Sequence, residues 1–132
     1  MLLLVSAVGL SGCVTPFRPP ADVAHIKLER SDSGTVVVSK IWLERKKGPL
    51  VVTGYVLKRL KAEDTTGTHL DVTLFGADGE VLRTSVEHFE PRQIPLRYRV
   101  PDSASYRIPL DPLPAGTARI LVGAHDAPEH RQ

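Results

Sequence analysis

Short segments in which apolar and polar residues alternate recur along most of this chain. The alternation is regular in residues 69–74, 96–100, 106–110 and 118–124. Because successive side chains of a β-strand point to opposite faces, each of these segments presents one apolar face to a core. No window of twelve or more residues carries an apolar stripe at helical spacing. The pattern therefore predicts a fold built from strands.

Two longer apolar runs, residues 35–44 and 50–60, alternate less regularly. They indicate central strands covered on both faces, or strands that carry a bulge at Gly54. Residues 26–30 and 81–89 bring the predicted total to about eight strands. Ala77-Asp78-Gly79 predicts a tight hairpin before residue 81, because Asp-Gly readily adopts the positive φ of such turns.

Composition and length restrict the fold further. The chain has 132 residues, enough for a single domain, and its 11 Pro and 10 Gly indicate many turns. A single Cys allows no internal disulfide, so an apolar core must stabilise the fold. We therefore predict an all-β, antiparallel, two-sheet sandwich of seven or eight strands over residues 25–126, with a small β-barrel as the alternative.

The beginning of the chain has a different character. Residues 1–12 are uncharged and mostly apolar, and they end at Cys13. This run is shorter than the roughly 20 residues that cross a bilayer, and its small residues before Cys13 are typical of a secretory signal. Leu10-Ser11-Gly12-Cys13 resembles the lipobox of bacterial lipoproteins.

That resemblance implies a signal peptide over residues 1–12, cleavage after Gly12, and fatty acyl groups such as palmitate on Cys13 that anchor the chain in a membrane. Val14 rather than Asp follows Cys13, which implies the periplasmic face of the outer membrane in the bacterial envelope. The alternative is a cytosolic protein with an apolar end and an incidental Cys.

Proline dominates the next segment. Pro16, Pro19 and Pro20 favour an extended tether over residues 13–24, at about 3.1 Å per residue. The alternative is a first strand that starts late. Residues 127–132 are expected to form a flexible tail.

Three segments also resemble immunoglobulin-like modules of bacterial envelope proteins, including the FxLYD-like and fibronectin-like groups. They are Val52-Thr53-Gly54-Tyr55-Val56, the hairpin of residues 72–82, and Leu113-Pro114-Ala115-Gly116-Thr117. The resemblance implies an immunoglobulin-like sandwich and no particular activity.

Catalytic motifs are missing from the sequence. There is no Gly-x-Ser-x-Gly elbow and no phosphate-binding glycine loop, and the single Cys is assigned to the anchor. His88 and Glu90 could face one side of a strand, but two ligands make a poor metal site. We expect no enzyme activity, no cofactor and no bound metal, and the net charge of +2 favours no nucleic acid.

Cationic side chains form local clusters. Lys58, Arg59 and Lys61 form one cluster, and if residues 35–44 and 50–60 pair as a hairpin, it lies at the opposite end from Arg45 and its neighbours. The candidate contacts for an anion or a partner are Arg45, Lys46, Lys47, Arg97, Arg99 and Arg107. The alternative is a solvated face that keeps sheet edges from pairing.

These observations predict a non-catalytic, membrane-anchored envelope lipoprotein that acts as a protein-interaction or assembly module with an envelope protein partner. The alternative is a binding module for glycan, lipid or peptidoglycan fragments. Aromatic residues make up only 5% of the chain, and we expect Trp42 to lie in the core rather than on a sugar-binding platform.

Overall fold

The computed structural model of the protein describes residues 19–45, 48–95 and 103–126. A short 3-10 helix, Ala21–Val23, precedes the strands. The described strands are β1 (Lys27–Ser31), β2 (Val36–Arg45), β3 (Leu50–Lys58), β4 (Thr68–Gly76), β5 (Val81–Glu87), β6 (Ser103–Pro109) and β7 (Thr117–Asp126). The all-β prediction is confirmed. The predicted strand at residues 96–100, the signal segment and the tail lie outside the described residues.

The strands form two sheets. One sheet has four strands in the order β1-β7-β4-β5, and the other has three in the order β2-β3-β6. Within the described ranges these sheets are separate and face each other, which confirms the sandwich and excludes a closed barrel. The neighbouring strands are antiparallel, as predicted, except at one edge of the larger sheet, where β1 runs parallel to β7.

The core lies between the sheets because the predicted alternation turns one face of each strand inward. In β6, Ala104, Tyr106 and Ile108 are buried while the residues between them are exposed. Val23 and Ile26 also belong to the core, so the chain joins the packed interior before β1 begins.

A bulge interrupts the pairing of β2 with β3. Val38 pairs with Val56 and Lys40 with Tyr55, so Ser39 is the extra residue. The bulge therefore lies in β2 and not at Gly54, where the sequence suggested it. Gly54 lies close to this bulge, and it has no room for a side chain, since a Cβ at position 54 would lie 1.9 Å from the Lys40 carbonyl oxygen.

The sandwich has two distinct ends. The chain enters beside the end of β2, where Arg45 Nη1 lies 2.9 Å from Asp22 Oδ2, and we call this the entry end. At the far end, β3 finishes at Lys58 and the N–H of Arg59 donates to the Thr35 carbonyl over 2.9 Å. The nine residues of β3 separate the two ends by about 25–30 Å.

Candidate functional site

Two of the six cationic residues predicted to contact an anion or a partner lie within the described residues. Arg45 lies at the entry end, and its guanidinium lowers the pKa of the Asp22 carboxyl by a hydrogen bond. Arg107 lies on the outer face of the three-stranded sheet, 3.1 Å from Glu44 Oε2. Each is therefore held in a different ion pair. The other predicted site residues, Cys13, Lys46, Lys47, Arg97 and Arg99, lie outside the described residues.

The second cationic cluster lies at the far end, opposite Arg45, as the hairpin interpretation required. It forms what we call the Leu60 turn, residues 58–62. The Ala62 N–H donates to the Arg59 carbonyl over 3.0 Å, and Lys58 Nζ donates to the Ala62 carbonyl over 2.8 Å. Arg59 Nε donates to the Ser33 carbonyl over 2.9 Å. Leu60 is at the apex of this cross-braced turn and is 95% exposed.

The chain that follows the Leu60 turn is also braced. Thr65 is fully buried, and its hydroxyl donates to the Arg92 carbonyl over 2.6 Å and accepts from the Ile94 N–H over 2.9 Å. Gln93 accepts from the Thr65 N–H and donates to the Glu63 carbonyl. The exposure of Leu60 is thus a property of a supported turn.

Two hollows border the Leu60 turn. One, of about 490 Å³, extends to Gln93 and Ile94. The other, of about 390 Å³, extends to Gly34 and Thr35. Leu60 and Lys61 line both hollows, Lys58 lines the first and Arg59 the second.

A second surface lies on the outer face of the three-stranded sheet. We call it the Trp42 face, and it consists of Trp42, Glu44, Tyr55 and Arg107. The centroids of the Trp42 and Tyr55 rings are 5.8 Å apart, and the rings are inclined by 53°. Trp42 Nε1 donates to Glu44 Oε1 over 3.1 Å, and Arg107 Nη1 donates to Glu44 Oε2 over the same distance.

Trp42 is therefore not a core residue, and that prediction is wrong. In β2 the side chains of Trp42 and Glu44 share a face, since they are two residues apart, and the core takes Ile41 and Leu43 instead. The charged partner at position 44 was the signal for an outward face. Leu60 was also missed, because it was assigned to the end of a strand.

Histidines cluster on the outer face of the four-stranded sheet. Nε2 of His69 lies 3.2 Å from Asp71 Oδ1, and Nε2 of His125 lies 3.4 Å from Asp71 Oδ2. The two imidazole rings are stacked with centroids 5.8 Å apart. His88 and Glu90, the pair suggested by the sequence, are both exposed. Among the described residues, no group of three or more such side chains is arranged to hold a metal ion.

Comparison of the chain with protein-family models, with curated proteins and with solved structures found no match. Within residues 19–45, 48–95 and 103–126, no helix has the length and apolar character needed to cross a membrane.

Proposed function

We propose that the protein is a non-catalytic lipoprotein of the bacterial envelope, anchored through Cys13, which acts as a protein-interaction module through the Leu60 turn. The observation that carries the proposal is the 95% exposure of Leu60 at the apex of a turn held by its own hydrogen bonds. A large apolar side chain gains about 1.5–3 kcal/mol when it is buried, so a preformed apex of this kind favours association.

The position of the Leu60 turn also supports a protein partner. Residues 21–23 lie at the entry end, so a tether that precedes them holds that end nearest to the membrane. The Leu60 turn lies at the far end, about 25–30 Å away along β3. A lipoprotein anchored in this way presents Leu60 to the compartment and to the proteins that the domain meets there.

The chemistry of the turn indicates what the partner offers. Leu60 fits an apolar socket, while Lys58, Arg59 and Lys61 fit carboxylates at the rim of that socket. Because exposed charges at a rim act mainly on the association rate, the complex should form more slowly at high salt.

Photo-crosslinking in living cells tests this proposal. A benzophenone amino acid at position 60 of the full chain should give one discrete adduct with an envelope protein. The matched control is the same amino acid at Ala115, which should not give that adduct. Ala115 is exposed and follows β6, whose last residue, Pro109, pairs with Val51 at the entry end. Lys61→Glu combined with the probe at position 60 should weaken the adduct, since it reverses one of the cations.

Two results would contradict the proposal. One is the absence of any adduct at position 60. The other is the same set of adducts at positions 60 and 115, which would reflect proximity in the envelope rather than docking of the Leu60 turn.

A further inference from the structure

The Trp42 face places the single tryptophan of the chain beside an exposed tyrosine. Tyr55 is 44% exposed, and its ring is inclined by 53° to the Trp42 ring. Thr53, in β3 between the strands that hold Trp42 and Arg107, is buried and donates to the Tyr106 carbonyl over 2.8 Å. The aromatic pair therefore lies on a part of the sheet where a side-chain hydrogen bond also joins β3 to β6.

Two charged groups are fixed at the edge of this aromatic pair. One oxygen of Glu44 accepts from the Trp42 indole N–H, and the other accepts from Arg107. Arg107 uses one N–H in that bond, and its side chain is 53% exposed. The Glu44 carboxylate and the Arg107 guanidinium are therefore oriented side by side, with an acceptor next to a donor.

This combination of groups matches a sugar ring that carries an amide. A pyranose has an apolar C–H face that packs on an aromatic ring and polar groups around its rim. An acetamido substituent has one N–H donor and one carbonyl acceptor, which complement Glu44 and Arg107 respectively. A hydroxyl group can also donate or accept, but its O–H rotates, whereas the planar acetamido group holds its donor and its acceptor in fixed directions.

We propose that the Trp42 face binds the N-acetylated hexosamine units of a glycan chain. The aromatic rings supply the apolar contact, and Glu44 and Arg107 select the acetamido group. This site uses different residues from the Leu60 turn and lies on a sheet face rather than at the far end, so the two proposals stand or fail separately.

Tryptophan fluorescence tests the glycan site, because the single tryptophan reports from within it. The full chain, purified in a detergent without a sugar head group, is titrated with an oligomer of N-acetylglucosamine and, separately, with a glucose oligomer of the same length. The N-acetylated oligomer should give a saturable change in Trp42 emission. It should bind about tenfold more tightly than the glucose oligomer, which lacks the acetamido groups.

Variants assign the contacts. Tyr55→Ala should weaken binding of the N-acetylated oligomer by about tenfold, while Tyr55→Phe, which keeps the ring, should bind as the wild type does. Arg107→Ala should remove the preference for the N-acetylated over the glucose oligomer. Val86→Ala changes an exposed apolar residue on the other sheet, so it is the matched control and should leave binding unchanged.

Calorimetric titration of the same samples detects an oligomer that binds without changing the fluorescence emission of Trp42. No saturable binding by either method would overturn the proposal, as would wild-type affinity in Tyr55→Ala. A protein that crosslinks to position 55, in a chain that binds neither oligomer, would assign the Trp42 face to a protein partner instead.

Discussion

Gly54 illustrates how one position can decide whether two strands of this sandwich fit together. A Cβ at Gly54 would lie 1.9 Å from the Lys40 carbonyl oxygen and 2.5 Å from the Tyr106 hydroxyl. That hydroxyl donates to the same carbonyl over 2.7 Å, and burial raises the pKa of Tyr106, so the phenol stays protonated and keeps its bond. Glycine therefore leaves room for the bulge and for the tyrosine that closes it.

Gly54→Ala should lower the free energy of unfolding by about 2–4 kcal/mol, because the clash involves backbone that cannot move cheaply. Urea denaturation measures the change. Gly76→Ala is the matched control, since the nearest atom to its new Cβ is the Cγ atom of Glu80 at 3.2 Å, in an exposed side chain that can shift. Equal losses in the two variants would contradict the proposed role of the close approach.

Single residues also show why the binding surfaces were harder to predict than the core. In the apolar run of residues 35–44, Leu43 lies in the core and Ile41 packs against it, but Trp42, which was assigned to the core because it is apolar, lies on the outer face. Its outward position depends on the pairing of β2 with β3, and its link to Arg107 crosses three strands. The local sequence pattern shows neither the strand register nor the cross-strand partners that place an aromatic side chain on the surface.

At the scale of elements, Asp126 joins three pieces of chain at the far end. Its carboxylate accepts from the Gly34 N–H over 3.1 Å and from the Thr68 hydroxyl over 2.9 Å, so the end of β7 is tied to the start of β4 and to the loop before β2. Partial burial alone would raise the pKa of Asp126, but hydrogen bonds from Thr35, Ser33, Thr68 and Gly34 lower it overall.

A lowered pKa in the folded state gives Asp126 a predictable pH dependence. Acid protonates this carboxyl in the unfolded chain first, so its contribution to stability is present above the ordinary pKa of 3.8 and is lost as the pH falls through the lower folded value. Asp126→Asn should lower the free energy of unfolding at neutral pH by no more than about 1 kcal/mol, because solvent screens the group.

The free energies of unfolding of the wild type and of Asp126→Asn are measured by denaturation at neutral pH and at about pH 3. The difference in the free energy of unfolding between the two proteins should become smaller in acid, because the wild-type carboxyl begins to lose its charge there. A difference that is constant across this range would mean that the hydrogen bonds do not depend on the carboxylate charge.

Strands were predictable from the sequence, but their order was not. The alternation of residues 69–74 and 118–124 placed β4 and β7, and Ala77-Asp78-Gly79 placed the hairpin before β5. In contrast, the parallel pairing of Lys27 with Arg119 joins two segments far apart in the chain. Period-two patterning says which face a strand buries but not which neighbour it takes or in which direction.

At the scale of the whole molecule, the proposals assign attachment to the entry end and binding to the far end and to the Trp42 face. The entry end holds Arg45 and the chain that leads back toward Cys13, while Leu60 lies at the far end. Acyl chains on Cys13 would contribute about 0.8 kcal/mol per buried CH₂, and two chains suffice for stable anchoring. The proposed anchor therefore predicts an orientation, with the entry end close to the lipid and the Leu60 turn away from it.

That orientation can be measured, because an acylated Cys13 leaves any added cysteine as the single reactive thiol. Ala115→Cys near the entry end and Leu60→Cys at the far end are labelled with the same fluorophore in vesicles that contain nitroxide-bearing lipids. Quenching should be stronger at position 115 than at position 60, since nitroxides act over short distances. Palmitate labelling should be present in both variants and absent when Cys13→Ala is added. Equal quenching at both positions would contradict the orientation, and palmitate incorporation into the Cys13→Ala chain would contradict the anchor itself.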